Sequence, residues 1–190
     1  MRSALTVVAA AAISVAAGGC HHAATPAPDA STSAVGITTG SPADVTFLEN
    51  MVVHHQQALQ LLALVPAGST NQALVSFAEQ NAAQQQTELQ GCQAQLLQWE
   101  VPGGRSVRDP AADIPGMVDK ATVDKLHDLH GPAFDTLWLQ SMIAHHRGAI
   151  TMAQNEIQNG ESAEAISIAQ SLVPFQQSQI TQMNQLLGAS

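Results

Sequence analysis

From Ser41 onward, apolar residues recur at three- and four-residue intervals in long runs, separated by short breaks rich in proline, glycine and small polar residues. Ser41 is placed to cap a first helix whose opening turn holds Pro42 and Asp44; the helix runs to about Val65, where Pro66-Ala67-Gly68-Ser69 breaks it. A second helix is predicted from about Asn71 to Trp99 and is stopped by Val101-Pro102-Gly103-Gly104. A stretch rich in Pro, Gly and Asp, with a short helix around Ala121 to Leu129, crosses to Gly131-Pro132. A third helix then ends at Asn159-Gly160. The fourth carries Pro174, which removes one backbone hydrogen bond and is expected to bend it.

The pattern contains a repeat. Asp44, Phe47, Met51, His54, His55 and Ala58 recur as Asp135, Trp138, Met142, His145, His146 and Ala149, each shifted by 91 positions. The register survives the following turn: Ala78, Gln85, Gln86, Leu89 and Leu96 match Ala169, Gln176, Gln177, Ile180 and Leu187. Two helical hairpins are implied, repeat 1 over 41–100 and repeat 2 over 132–190, joined by a crossover over 101–131. That is the connectivity of an all-α, ferritin-like four-helix bundle.

The inner faces carry chemistry as well as packing. At about 100° per residue, Phe47, Leu48, Met51, Ala58 and Leu62 share one stripe, and His54 and His55 sit on or beside it. Adjacent histidines lie about 100° apart, so one pair does not easily aim both rings at a single point. Met51 is one turn before them, within side-chain reach of either, and Met142 stands in the same relation to His145 and His146. The second helix has a matching oddity: its stripe Leu74, Ala78, Asn81, Gln85, Glu88, Cys92, Leu96 is polar in the middle. The last helix repeats this with Gln176, Gln179 and Met183. A buried carboxylate or amide without a partner costs a few kcal/mol, so these groups and the histidines should face one another.

Two accounts fit that arrangement. In one, the four histidines are hydrogen-bonded to Glu88, Gln85, Gln176 and Gln179 and only fix the register of the bundle. In the other, Met51, His54, His55, Met142, His145, His146 and Glu88 surround a metal ion, with Cys92, Met183, Gln179, Asp44 and Asp135 as further candidates. Di-iron bundles place Glu three residues before His; here that position holds Met51 or Met142, which removes the hard anionic oxygens such a site needs. Thioether and imidazole donors suit Cu(I) first and zinc or Cu(II) second. A metal-dependent oxidoreductase would need an open coordination position. Met117 and Met152 are as readily gap-fillers as donors, and His127 and His130 read as surface residues.

Composition removes other classes. With 6 Lys plus Arg against 15 Asp plus Glu, a formal charge of -9, no Tyr and 3% aromatic residues, the chain has neither a basic patch nor a stacking platform for nucleic acid. The N-terminus changes the cellular picture. Arg2 and the uncharged stretch Ala4 to Ala17 predict a signal peptide over 1–19. Ala17-Gly18-Gly19-Cys20 resembles the lipobox of bacterial lipoproteins, with Ala17 where Leu is usual, which would make Cys20 the acylated first residue of an exported, membrane-anchored protein. Residues 20–40 then form a tether too poor in apolar side chains to fold. Cys92 is left as the one free thiol, without an intramolecular disulfide.

The block Phe47-Leu-x-x-Met51-x-x-His54-His55-x-x-Ala58, its second copy through Met152-Ala153, and the trailing Gln85-x-x-Glu88-Leu89-x-x-Cys92 and Gln176-x-x-Gln179-Ile180-x-x-Met183 resemble the bacterial domain-of-unknown-function family 305. The likeness spans about Asp44 to Leu187. It implies a ferritin-like fold, usually exported, with CopM-type relatives implicated in copper binding and resistance. Cys92 stands where that family often has Met, and Gln179 where Glu is usual. Only 6 Met are present, so at most one or two internal sites are expected. The combined expectation is copper sequestration or transfer, with a possible copper-handling partner. The alternative is a metal-free structural or interaction module at the cell surface.

Overall fold

The computed structural model describes residues 40–100 and 114–188. The signal segment, Cys20, the tether up to residue 39 and the first part of the crossover lie outside the described residues. Among the described residues there are five helices: α1 (Pro42–Gly68), α2 (Gln72–Gln98), α3 (Lys120–Asp128), α4 (Pro132–Asn159) and α5 (Ala163–Gly188). Each start is explained by its first residues. Ser41 and Asp44 form a reciprocal capping box, Asp44 N–H donating to Ser41 Oγ at 3.3 Å and Ser41 N–H to Asp44 Oδ2 at 2.8 Å. Asn71 caps α2, Asp119 caps α3, and the Ser162 hydroxyl accepts from Ala165 N–H at the start of α5.

One boundary differs from the sequence expectation. α1 does not break at Pro66 but runs on to Gly68. So close to the end, proline forfeits only the bond to the Leu62 carbonyl, and Ser69 N–H still closes the helix on the Val65 oxygen at 2.9 Å. The extension is used: Gly131 N–H donates to the Gly68 carbonyl at 2.7 Å, and a Cβ on Gly68 would overlap the Phe134 ring. α5 likewise continues through Pro174.

α1 packs on α2 and α4 on α5, giving the two hairpins; α1 then faces α4 and α2 faces α5, while α3 lies against α1 and α4. Two apolar cores result. One gathers Phe47, Leu48, Met51, Leu89, Cys92, Leu96 and Trp99 with Met152, Ala165 and Leu172. The other gathers Trp138, Leu139, Met142, Ile180 and Met183 with Leu61, Leu74, Phe77 and Phe134. The 91-residue offset maps Phe47, Leu48, Met51, Leu89, Cys92, Met152 and Ala165 of the first set onto Trp138, Leu139, Met142, Ile180, Met183, Leu61 and Leu74 of the second, so at these positions the repeat exchanges the two cores. The four histidines belong to neither core, and with Gln85, Gln176 and Gln179 they make up buried polar material in the same bundle.

The end of the crossover straps the α1–α4 face. Gln57 holds Val118 by two hydrogen bonds, 2.9 Å to its carbonyl and 2.8 Å from its N–H. Gly116, at φ +81°, lies on Gly148, where a Cβ would overlap the Pro115 carbonyl. Among the described residues no helix is long and apolar enough to cross a membrane.

Candidate metal centre

Met51, His54 and His55 come from the middle of α1, and Met142, His145 and His146 from the middle of α4; all six are buried. The four rings form a row across the bundle, with centroid separations of 6.4 Å from His55 to His54, 3.6 Å from His54 to His145, and 6.2 Å from His145 to His146. The repeat therefore yields an outer pair, His55 and His146, and a stacked inner pair, His54 and His145.

The outer pair is hydrogen-bonded at both nitrogens. His55 Nδ1 lies 2.7 Å from the Met51 carbonyl oxygen and Nε2 lies 2.8 Å from Glu88 Oε2. His146 reproduces this with Nδ1 2.9 Å from the Met142 carbonyl oxygen and Nε2 2.8 Å from Gln179 Oε1. A carbonyl only accepts, so each Nδ1 carries a proton, and in a neutral ring Nε2 is then the acceptor. At His55 the Nε2 partner is the carboxyl group of Glu88, which also accepts from Gln176 Nε2 at 3.2 Å and Gln84 Nε2 at 3.0 Å. Burial pushes His146 down to about 4, so its ring is neutral and its Nε2 is satisfied when the Gln179 amide turns its NH₂ toward it.

The inner pair is different. Burial, reinforced by neighbouring imidazoles, holds His54 and His145 well below the ordinary histidine value. His54 is hydrogen-bonded to the Pro115 backbone in the strap and His145 to the His54 backbone. Their Nε2 atoms are buried and have no partner. Two neutral imidazoles with lone pairs turned into the bundle are what a soft metal requires, and backbone bonds at the other nitrogen are how ligating histidines are commonly oriented. The stack is not itself a finished coordination sphere: among the described residues, no three His, Cys, Asp or Glu side chains are arranged to hold an ion.

Residues 44–187 match the family described as a domain of unknown function, DUF305. The chain belongs to the DUF305 family. Solved DUF305 structures share its fold. A protein of Streptomyces coelicolor, described as a candidate secreted protein, is 29% identical with a TM-score of 0.70, the match covering 77% of this chain and 93% of that one. A DUF305 fragment from Deinococcus radiodurans is 28% identical with a TM-score of 0.73, covering 80% and 99%. CopM in its Cu(II)-bound form is 25% identical with a TM-score of 0.64, covering 77% and 96%; CopM is also known in Cu(I)- and Ag-bound forms. No curated protein matches the sequence.

Other candidate residues of this DUF305 chain lie elsewhere. Asp44 is committed to the α1 cap and to Glu161 N–H at 2.9 Å, which ties α1 to the α4–α5 turn. It is not gathered with the imidazoles, because it sits in the first turn of α1, ten residues before His54. Although burial alone would raise Asp44, those hydrogen bonds hold it at about 2. Asp135, its repeat partner, is buried at the start of α4 with Oδ1 unpartnered. Cys92 and Met183 occupy equivalent places in the two cores; burial, with Glu88 nearby, pushes the Cys92 thiol up to about 12, which leaves it uncharged and inert. Met152 packs in the first core, Met117 leans on it, and His127 and His130 are exposed.

Sequence reasoning missed three participants. Gln84 donates to Glu88 beside His55, Pro115 orients His54 from the strap, and Glu156 is hydrogen-bonded to Asp44. Glu156 did have a signal: the repeat places Val65 opposite it, so a carboxylate stands where the other half is apolar.

Proposed function

We propose that the protein captures and holds a soft transition-metal ion outside the cytoplasm, copper before zinc, through Met51, His54, His55, Met142, His145 and His146, for sequestration or transfer without turnover. The observation that carries this reading is the inner pair: two neutral histidines, buried side by side, whose Nε2 acceptors no group among the described residues satisfies. A purely structural layer would have left them bonded, as His55 and His146 are. The soft donor set agrees with the copper- and silver-bound forms of CopM. Binding would require the stacked rings to part so that their Nε2 atoms and a neighbouring thioether turn to one ion, with Glu88 and Gln179 orienting the outer imidazoles.

The test is a titration of reduced protein with Cu(I) against a competing chelator, beside a variant with His54, His55, His145 and His146 changed to Ala. Wild type should retain Cu(I) at least about a hundredfold more tightly. Equal, weak affinities would end the metal reading. They would favour the structural alternative, which the bonded outer pair supports for that half of the layer.

Export would follow from the Arg2 to Ala17 signal, with acylated Cys20 as the membrane anchor. Cys20→Ala is expected to move the protein from the membrane fraction to the soluble exported fraction. A variant that stays with membranes would remove the anchor from the account.

A further inference from the structure

The histidine layer is closed unequally on its two faces. On the α1–α4 face the strap lies directly over it, held by Gln57 and by the backbone contact of Gly116 on Gly148. A cavity of about 450 Å³ also opens between α1 and α4, walled by Phe47, Met152 and Pro115 together with Asn50, Asn155 and Glu156, and among the described residues no partner of a histidine side chain other than Pro115 reaches it. The α2–α5 face is different. Two shallow grooves of about 240 and 200 Å³ lie side by side there, meeting at Gln84 and the half-exposed Phe175. The first is lined by Glu88, the partner of His55, and the second by Gln179, the partner of His146.

Unsatisfied polar atoms continue inward from these grooves. Asn81, only 3% exposed in the wall of the second, has neither amide atom partnered. The Gln176 oxygen is likewise orphaned, while its nitrogen donates to Glu88. The Nε2 atoms of His54 and His145, in the row of rings whose outer member His55 is bonded to Glu88, are orphaned as well. Buried polar groups without partners are costly unless something polar passes or resides among them. Glu88 is the one acidic side chain lining either groove.

We infer that the α2–α5 seam is the route by which a cation reaches the inner histidine pair, with Glu88 as the first protein ligand it meets. This rests on the metal-binding reading of the layer and adds to it a direction and a receiving group. A carboxylate at the groove attracts a hydrated cation and replaces its water with a fixed oxygen. Orphaned amide oxygens then offer the next, weaker positions, and the imidazole lone pairs the last and softest. The cavity on the strap face has polar walls too, among them Asn50, Asn155 and Glu156, but none of these side chains bonds a histidine of the layer, and Glu156 stands ten residues beyond His146 along α4.

The experiment plugs each face and times uptake of Cu(I) from a weak chelator by stopped flow. Gly91 lines the first groove, and a Cβ there meets nothing within 4 Å, so Gly91→Trp fits without backbone strain. Ser171→Trp blocks the same groove from α5, and Thr151→Trp fills the α1–α4 cavity as the control. Both groove variants should take up Cu(I) at least about tenfold more slowly than wild type, to the same end point, while Thr151→Trp keeps the wild-type rate. Wild-type rates in both groove variants, or a Thr151→Trp that slows as much, would overturn the route while leaving the binding site intact. No uptake by wild type at all would overturn both.

Discussion

Replacing the inner histidines, His54→Leu with His145→Leu, should abolish Cu(I) retention while leaving the metal-free protein within about 1 kcal/mol of wild type or above it. The physical reason is that each buried, unpartnered Nε2 imposes a desolvation cost of about 1–3 kcal/mol, and leucine fills similar space without an acceptor. Against that gain stands the loss of the backbone bonds made by His54 and His145, each worth about 1 kcal/mol. The outer pair should behave oppositely. His55→Leu strips the Glu88 carboxylate of a 2.8 Å partner and His146→Leu does the same to Gln179, so each should lower stability by about 1–3 kcal/mol. Urea denaturation of the metal-free proteins, beside chelator competition, reads both quantities. An inner-pair variant that unfolds, or one that still holds Cu(I), contradicts these roles.

The second large effect concerns pH. Glu156 is raised to about 7, by burial first and then by the hydrogen bond to Asp44 and that group's negative charge. An acid whose folded value lies above its unfolded one contributes stability that is complete below about 4.5 and is lost as pH rises through about 7. Asp44 has the opposite sign: its contribution is present above 3.8 and disappears as pH falls toward 2. Glu156→Gln keeps a donor for Asp44 and cannot ionise. Relative to wild type it should be neutral at pH 4.5 and more stable at pH 8. A tenfold change in proton affinity is worth about 1.4 kcal/mol, and with allowance for screening by nearby solvent the gain is on the order of 2 kcal/mol. Taking the difference between the two proteins also removes the buried histidines, whose lowered values cost stability as pH falls below 6.5. A difference that does not change between pH 4.5 and 8 would show that Glu156 is not protonated in the fold.

Most of the architecture is legible in the chain because it rests on local physics. The Ser41–Asp44 box, the Asn71 cap and the 91-residue repeat are short-range signals, and the polar middle of the α2 stripe requires something polar to face it. What the repeat does not convey is how neighbouring histidines divide the work. His54 and His55 are adjacent in sequence, yet one stacks across the bundle and the other bonds to Glu88, a distinction made by the helix–helix interface and not by spacing. Position alone makes Asp44 a metal candidate; its engagement with Glu161, 117 residues away, belongs to tertiary structure. The strap is equally hidden, since Gln57 and Val118 are 61 residues apart and nothing local pairs them.

The exchange of the two cores by the repeat has a consequence for dilution. Were each hairpin a separate polypeptide, the row of four imidazoles would exist only at concentrations that drive two copies together. Carrying both halves on one chain makes the site's assembly independent of protein concentration. Covalent linkage also frees the halves to differ. A self-assembled pair must place the same residue on both sides, whereas here Glu88 faces His55 and Gln179 faces His146, so one end of the row meets a carboxyl group and the other an amide.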